Sequence, residues 1–232
     1  MGSFTSSLQP TRDRTRHAAP QVFEQLREAI INLELAPGTV LSRQELQLRF
    51  GLSSTPIRDA LMKLAEESLV DIFPQHATMV SRIDLDHARQ AAFLRRSIEV
   101  EVAYNLASDP DPELVARLRQ NLKLQRAFAE AGDLVQFNAT DRAMHRMMYD
   151  AAGVPDLWTV MQRRNGHIER LRRLHLPMKG KVDQTIRDHT AIVEAIAAGD
   201  PATACREVRD HLSRSLAFSA EIRARFPGYF KD

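Results

Sequence analysis

Cysteine is nearly absent from this chain: Cys205 is the single one in 232 residues. An internal disulfide is thereby excluded, and a reducing compartment is the expected setting. Long hydrophobic runs are missing as well. No stretch is apolar enough to span a bilayer and no secretory signal pattern is present, so a soluble cytoplasmic protein with no membrane partner is expected. Glycine contributes only nine residues, and from Asp84 onward no alternating strand pattern occurs, which argues against a large sheet there. Neither sign of charge dominates: the formal net charge is +2, so a uniformly basic surface is ruled out. The length leaves room for two modest domains, each able to bury a core.

What is present is most informative between Pro37 and Val80. Ser42 and Glu45 have capping-box spacing, which predicts a short helix starting after Ser42. Phe50-Gly51-Leu52 supplies a turn, with Gly51 free to adopt a left-handed backbone. Thr55-Pro56 is expected to open the next helix, with a hydroxyl cap and a proline where its missing N–H costs nothing. In that helix Ile57, Ala60, Leu61 and Leu64 share an apolar face, while Arg58, Asp59, Met62 and Lys63 point elsewhere. Two short helices joined by a glycine turn, the second with an outward polar face, are how a protein sets a helix in the DNA major groove. Leu69–Phe73 and Thr78–Ser81, separated by Pro74-Gln75-His76-Ala77, read as a two-stranded wing. Upstream, Val22, Leu26, Ala29, Ile30 and Leu33 repeat at helical spacing, and Ala36-Pro37-Gly38 is expected to stop that helix.

The strings Pro37-Gly38-Thr39-Val40-Leu41-Ser42 and Gly51-Leu52-Ser53-Ser54-Thr55-Pro56-Ile57-Arg58-Asp59-Ala60-Leu61 resemble the DNA-binding domain of the GntR family of bacterial transcription regulators. The likeness runs from about Val22 to Val80. Ser54 stands where the family usually has an arginine, and His76-Ala77 where it usually has an arginine-glycine pair at the wing tip; in the family those arginines contact DNA. The resemblance implies a winged helix-turn-helix on double-stranded operator DNA. Phosphate contacts are expected from Arg43, Thr55 and the first turn of the recognition helix, and base-edge contacts from Arg58 and from Ser53 or Ser54. His76 is expected to touch phosphate or the minor groove. Residues 21–81 carry five cations against eight anions, a net of −3, and Arg12, Arg14 and Arg16 against Asp13 recover +2. A local grouping of Arg43, Arg49 and Arg58 must therefore face phosphates, with a homodimer making up for modest affinity per monomer.

Residues 1–19 read as a mobile arm, 20–81 as the DNA-binding domain and 82–232 as a second, helical domain. In the latter, helical periodicity recurs over about six segments, roughly 84–108, 112–131, 133–152, 156–176, 182–198 and 201–225. The expected fold is mainly α, a winged helix-turn-helix followed by a six-helix bundle. Asp141 and His145, four apart, share one helix face. His189 and His211 lie near the middles of the fifth and sixth segments, His211 on a stripe with Ala204, Val208 and Ser215. Burying a carboxylate and three imidazoles together is costly unless a cation compensates them, and zinc and its neighbours accept such ligands. The plain alternative is a set of separate, hydrogen-bonded histidines.

Three motifs resemble FCD, the all-helical ligand-binding domain of the FadR branch of the GntR family. They are Arg95-Arg96-Ser97-Ile98-Glu99 with Ala103 and Ala107; Asp141-Arg142-Ala143-Met144-His145; and His189 to Ile196 with Gly199-Asp200 and His211-Leu212. Six helices rather than seven points to its VanR-like subgroup. The resemblance implies that Asp141, His145, His189 and His211 ligate a divalent metal, zinc first, then nickel, iron or manganese. It also implies that Arg95 holds the carboxylate of a small organic acid effector. The local alternative for Arg95 is a helix-surface salt bridge to Glu99. The cluster Arg163, Arg164, Arg170, Arg172 and Arg173 reads as mostly a solvated helix face, and His17, His87, His167 and His175 as surface residues. The expected function is a ligand-responsive repressor. One rival is the same regulator with a purely structural metal. The other is a metal-dependent hydrolase, for which no surplus acid accompanies the four ligands.

Overall fold

A computed structural model describes residues 13, 15–74 and 76–231. Most of the expected N-terminal arm lies outside the described residues. The chain forms two compact units. One takes the chain up to Ala88 together with Gly166–Arg173 and the stretch from Ala220; the other takes Arg89–Asn165 and Leu174–Ser219. Among the described residues no helix is long and apolar enough to cross a membrane.

The first unit begins with α1 (Ala18–Ile31), which packs with α2 (Arg43–Phe50) against α3 (Ser54–Glu66). Leu26, Ile30, Leu46, Ile57, Leu61 and Leu64 fill the core at 1 % exposure or less. Each such side chain contributes about 1.5–3 kcal/mol by leaving water. The predicted caps of α2 are in place: Ser42 Oγ accepts the N–H of Glu45, and Gly51 closes the helix at φ 61°. Helix α3 starts earlier than expected. Its N-cap is Ser53, not Thr55, so Pro56 falls within the first turn, where backbone N–H groups lack helical partners in any case. Helix α1 also ends before Ala36-Pro37-Gly38. Leu33 takes φ 62°, and the N–H of Leu35 returns to the carbonyl of Ala29.

Strands β1 (Val70–Phe73) and β2 (Ala77–Val80) pair antiparallel, Val70 with Val80 and Phe73 with Ala77. A third edge was not expected: Val40 bridges Met79, and Leu41 N–H reaches the carbonyl of Thr78. The wing is thereby tied to the chain entering α2.

The second unit contains most of α4 (Leu85–Ser108), followed by α5 (Pro112–Glu130), α6 (Leu134–Ala151) and α7 (Pro155–Arg164). Next come α9 (Lys181–Ala197) and α10 (Pro201–Ala217), while α8 (Gly166–His175) and α11 (Ser219–Arg225) belong largely to the first unit. Asp111, Asp133 and Asp200 cap α5, α6 and α10 through their carboxylates. Helix α5 packs on α6 and α9, and α9 on α10. Ala103, Leu118, Met144, Ile192 and Val208 form part of their common core.

Two of the six expected segments are interrupted. The fourth breaks at Asn165, with Gly166 opening α8; a side chain at 166 would come within 2.6 Å of Leu69 Cδ2. The sixth breaks at Phe218, between α10 and α11.

Candidate functional site

The first unit presents its candidate DNA-contacting residues outward. Arg43, Ser53, Ser54, Thr55, Arg58 and His76 are all exposed. Arg43 opens α2, Ser53 and Ser54 straddle the start of α3, and Arg58 stands one turn further along. The Arg58 side chain is 63 % exposed and lies 3.6 Å from the Asp59 carboxylate. Arg43 and His76 line a groove of about 360 Å³ shared by the start of α2 and the wing, with Val40 and Phe73 among its walls.

The second unit does the reverse. Asp141 and His189 are fully buried, His145 is 2 % exposed and His211 is 9 % exposed. Helices α6, α9 and α10 bring them together. The three histidines can each offer a ring nitrogen such that all three atoms lie within 4.8 Å of one another. His189 Nε2 is 3.3 Å from His211 Nε2 and 3.5 Å from Asp141 Oδ1.

Each ring faces another polar group on its far side. His145 Nδ1 lies 2.8 Å from Glu99 Oε2, His189 Nδ1 lies 2.8 Å from Gln125 Oε1, and His211 Nδ1 lies 3.5 Å from Asp188 Oδ2. For His189 the proton can be placed by following the hydrogen bonds outward. The carbonyl of Thr140 can only accept, so Asn121 donates to it through Nδ2 at 3.1 Å. Asn121 Oδ1 then accepts from Gln125 Nε2 at 2.7 Å, which leaves Gln125 Oε1 to accept from His189 Nδ1–H. In the neutral ring the lone pair therefore sits on Nε2, aimed at His211 and Asp141.

Charge is managed around this cluster. Burial pushes the Glu99 carboxyl up, but neighbouring Arg95 and His145 outweigh it and hold the group well below the usual carboxylate range. Burial likewise raises Asp188, and hydrogen bonds from His211 and Gln184 more than reverse it. His211 is pushed down from its ordinary value, chiefly by burial. Arg95 is itself buried, its Nε 2.7 Å from Glu99 Oε1. The ion pair weighed in the sequence thus exists, but inside the bundle rather than on its surface.

The donor set fits a divalent cation. His145 Nε2 is buried without a hydrogen-bond partner, a costly condition for an imidazole nitrogen in a dry interior. Two imidazole Nε2 atoms 3.3 Å apart are spaced as ligands of one ion can be, Zn–N bonds being about 2.0–2.1 Å. Outer partners on the opposite nitrogens are what metal-binding histidines need to fix ring and tautomer. An open groove of about 740 Å³ between α5 and α9, lined by Arg126, Ile186, Thr190 and Glu194 among others, includes none of these four residues.

Sequence reasoning missed Gln125, Asn121 and Asp188 as partners. Asn121 and Gln125 stand four apart on the buried face of α5 with Leu118 and Leu122, and two amides on an apolar stripe were a readable signal. The basic cluster needs correction: Arg163 and Arg164 are exposed, but Arg170 and Arg172 are buried. His167 and His175, expected at the surface, are buried too. Cys205 is half-buried, and burial pushes its thiol up, away from the reactive thiolate.

Comparison with known proteins agrees with this architecture. The pattern of the bacterial regulatory proteins of the gntR family matches residues 18–80, and that of the FCD domain matches residues 90–214. The chain belongs to the GntR family.

This GntR regulator is 35 % identical over 209 residues to an uncharacterized HTH-type transcriptional regulator in an unstable DNA locus of Streptomyces ambofaciens, spanning 90 % of this chain and 88 % of that one. It is 29 % identical to the HTH-type transcriptional repressor RspR of Escherichia coli over 94 % of this chain and 96 % of RspR. Its fold is similar to that of E. coli McbR/YncC, with a TM-score of 0.75 at 18 % identity, covering 91 % of this chain and 99 % of that one. A GntR protein with an FCD domain is a DNA-binding transcription regulator, and the family and these relatives set the hydrolase reading aside.

Proposed function

We propose that this GntR protein is a cytoplasmic repressor, acting as a homodimer, whose helical unit binds a divalent metal and a small carboxylate effector that together modulate operator binding. Asp141, His145, His189 and His211 hold the metal, zinc being the best match to a set of three imidazoles and one carboxylate. When bound, the ion supplies a positive charge and open coordination positions. Glu99, Gln125 and Asp188 orient the three rings. Arg95 supplies a guanidinium for the effector carboxylate. The repressor reading leans on similarity to RspR. For pairing, α4 offers Phe93 and Tyr104, 65 % and 50 % exposed.

At the DNA, Arg43 and Thr55 contact phosphates, and His76 a phosphate or the minor groove. Arg58, with Ser53 or Ser54, approaches base edges from the exposed N-terminal half of α3. Ser54 and His76 replace family arginines, so fewer charged contacts are available per head.

The observation that carries the metal reading is the convergence of three buried imidazoles whose opposite nitrogens all face other groups. Zinc titration of chelator-treated full-length protein, followed by melting, tests it. At a free zinc concentration about a hundred times Kd, stability should rise by about 2.7 kcal/mol. His189→Ala should abolish the rise. An unchanged melting temperature together with no measurable zinc uptake would remove the metal. A panel of carboxylic acids added to the zinc-loaded protein should give a further thermal shift that Arg95→Gln loses. One observation favours a second reading, a purely structural metal: Arg95 already holds Glu99 in a buried ion pair. No shift from any acid in either protein would support it, and equal shifts in wild type and Arg95→Gln would remove Arg95 from the effector site.

A further inference from the structure

A buried arginine lies behind the recognition helix. Arg170 is fully buried in the first unit, a position that arginine almost never takes without a specific reason. Its Nη1 donates to the carbonyl of Ser81 at 2.6 Å, and its Nη2 donates to Ser81 Oγ at 3.3 Å. Ser81 Oγ in turn donates to the carbonyl of Ser68 at 2.6 Å, while Ser81 N–H reaches the carbonyl of Leu69 at 3.0 Å. Ser68 is the left-handed residue, φ 58°, at the C-terminal end of α3. A continuous set of hydrogen bonds therefore runs from α8 through Ser81 to the end of the helix that carries Arg58.

The next residues are gripped as well. The N–H of Asp84 donates to His167 Nδ1 at 3.0 Å, and Arg170 Nη2 lies 2.9 Å from the same nitrogen. Two donors converge on Nδ1, so the ring is neutral with its proton on Nε2. From the other side the C-terminal stretch forms a short parallel bridge. Ile83 N–H reaches the carbonyl of Tyr229 at 2.8 Å, Lys231 N–H reaches the carbonyl of Ile83 at 3.0 Å, and the Lys231 ammonium lies 3.2 Å from Asp84. Gly166 allows α8 to sit against Leu69 at the base of the wing. The segment Ser81–Asp84, where the chain leaves the wing, is thus held by two stretches that follow it by more than 80 residues in sequence.

We propose that Arg170 is a positioning residue for DNA recognition: with His167 and the bridge at Ile83, it clamps Ser81–Asp84 and thereby fixes the end of α3, so that base-edge contacts depend on it. The role is distinct from the metal and effector reading and rests only on DNA binding. Nonspecific association needs charges near phosphates and tolerates small shifts of the helix, whereas base-edge contacts do not. Loss of the clamp therefore lowers specificity more than affinity for arbitrary sequence.

The test uses the full chain, a duplex selected by the wild type from a random library, and an unrelated duplex of equal length. Arg170→Met keeps the volume of the side chain and removes its donors. Affinity for the selected duplex should fall by about tenfold or more while affinity for the unrelated duplex is unchanged. Amide exchange at Ile83 and Asp84 should accelerate by about tenfold, with α1 and α3 core amides still protected. Arg170→Lys, which keeps one donor for the Ser81 carbonyl, should recover most of the specificity. His167→Leu should lower specificity as Arg170→Met does, and His167→Asn, with an acceptor oxygen near the place of Nδ1, should restore it. This pair decides the matter should Arg170→Met fail to fold. Equal losses on both duplexes, or unaltered discrimination with the clamp amides exchanging freely, would overturn the proposal.

Discussion

The two units treat their candidate functional side chains in opposite ways, one exposing them and the other burying them. In the DNA-binding unit Leu26, Ile57 and Leu61 make a dry interior, and Arg43, Ser53, Thr55 and Arg58 are exposed. In the helical unit Asp141, His145, His189, Arg95 and Glu99 lie inside, among Met144, Ile192 and Val208. A residue displayed on a surface costs the fold little and needs no partner to keep it there. A buried ionisable group needs a partner for each polar atom, and those partners need partners in turn. Hence the candidate DNA face is a short list of exposed residues on α2, α3 and the wing, whereas the buried cluster recruits residues from five helices.

The sharpest way to break that contrast is to remove one buried counter-charge. Glu99→Ala leaves Arg95 and His145 without the carboxylate that both of them face. Breaking a buried ion pair from one side costs about 3–5 kcal/mol, so chemical denaturation should show a loss of that size. Arg58→Ala on the open face of α3 should change stability by less than about 0.5 kcal/mol. Comparable small losses for both variants would mean that burial of charge does not distinguish the two units.

The first unit has its own exception, the cluster around Arg170, and acid should expose it. Burial and the adjacent guanidinium push His167 down to about 3 from its ordinary 6.5. Arg170, lowered to about 10 by burial, stays charged at neutral pH. A histidine held neutral in the folded state gives its full stabilisation above its unfolded value. That stabilisation is lost as pH falls from about 6.5 toward 3, because only the unfolded chain takes up the proton. By pH 5 the loss from this group should reach about 2 kcal/mol. Denaturation of wild type and His167→Asn at pH 7 and pH 5 measures it, since the variant has no such proton to bind. Equal pH slopes in the two proteins would show that His167 is not held neutral.

These residues also mark where sequence reading succeeds. The helix-turn-helix was legible because its determinants are local: the Ser42 cap, the left-handed Gly51 and the period of Ile57, Ala60, Leu61 and Leu64 all act within one or two turns. Asp141 and His145 were legible as a pair for the same reason, one helix face at four-residue spacing. That His189 and His211 join them followed from resemblance, since nothing local in α9 or α10 says which helix they face. Gln125, Asp188 and Arg170 escaped because their partners are distant in sequence. Arg170 reads as one more cation in a basic stretch until Ser81, 89 positions earlier, is seen to accept from both its Nη1 and its Nη2. The need for glycine at 166 escaped likewise, since the side chain it leaves room for, Leu69, is distant in the chain.

The smallest effects separate kinds of contact on the exposed face itself. Arg58 stands on α3 past its first turn and Arg43 at the start of α2, both exposed. If Arg58 reads a base edge, Arg58→Ala should cost about 1–3 kcal/mol on the selected duplex and relax preference at one position of the site. If Arg43 meets a phosphate, Arg43→Ala should weaken all duplexes nearly alike and reduce the salt dependence of binding by about one counterion per head. Binding isotherms at several salt concentrations on selected and unrelated DNA distinguish the two. An Arg43→Ala protein with unchanged salt slope but altered sequence preference would reverse the assignments. The groove shared by Arg43, Phe73 and His76 would then have to be counted as part of the sequence-reading surface.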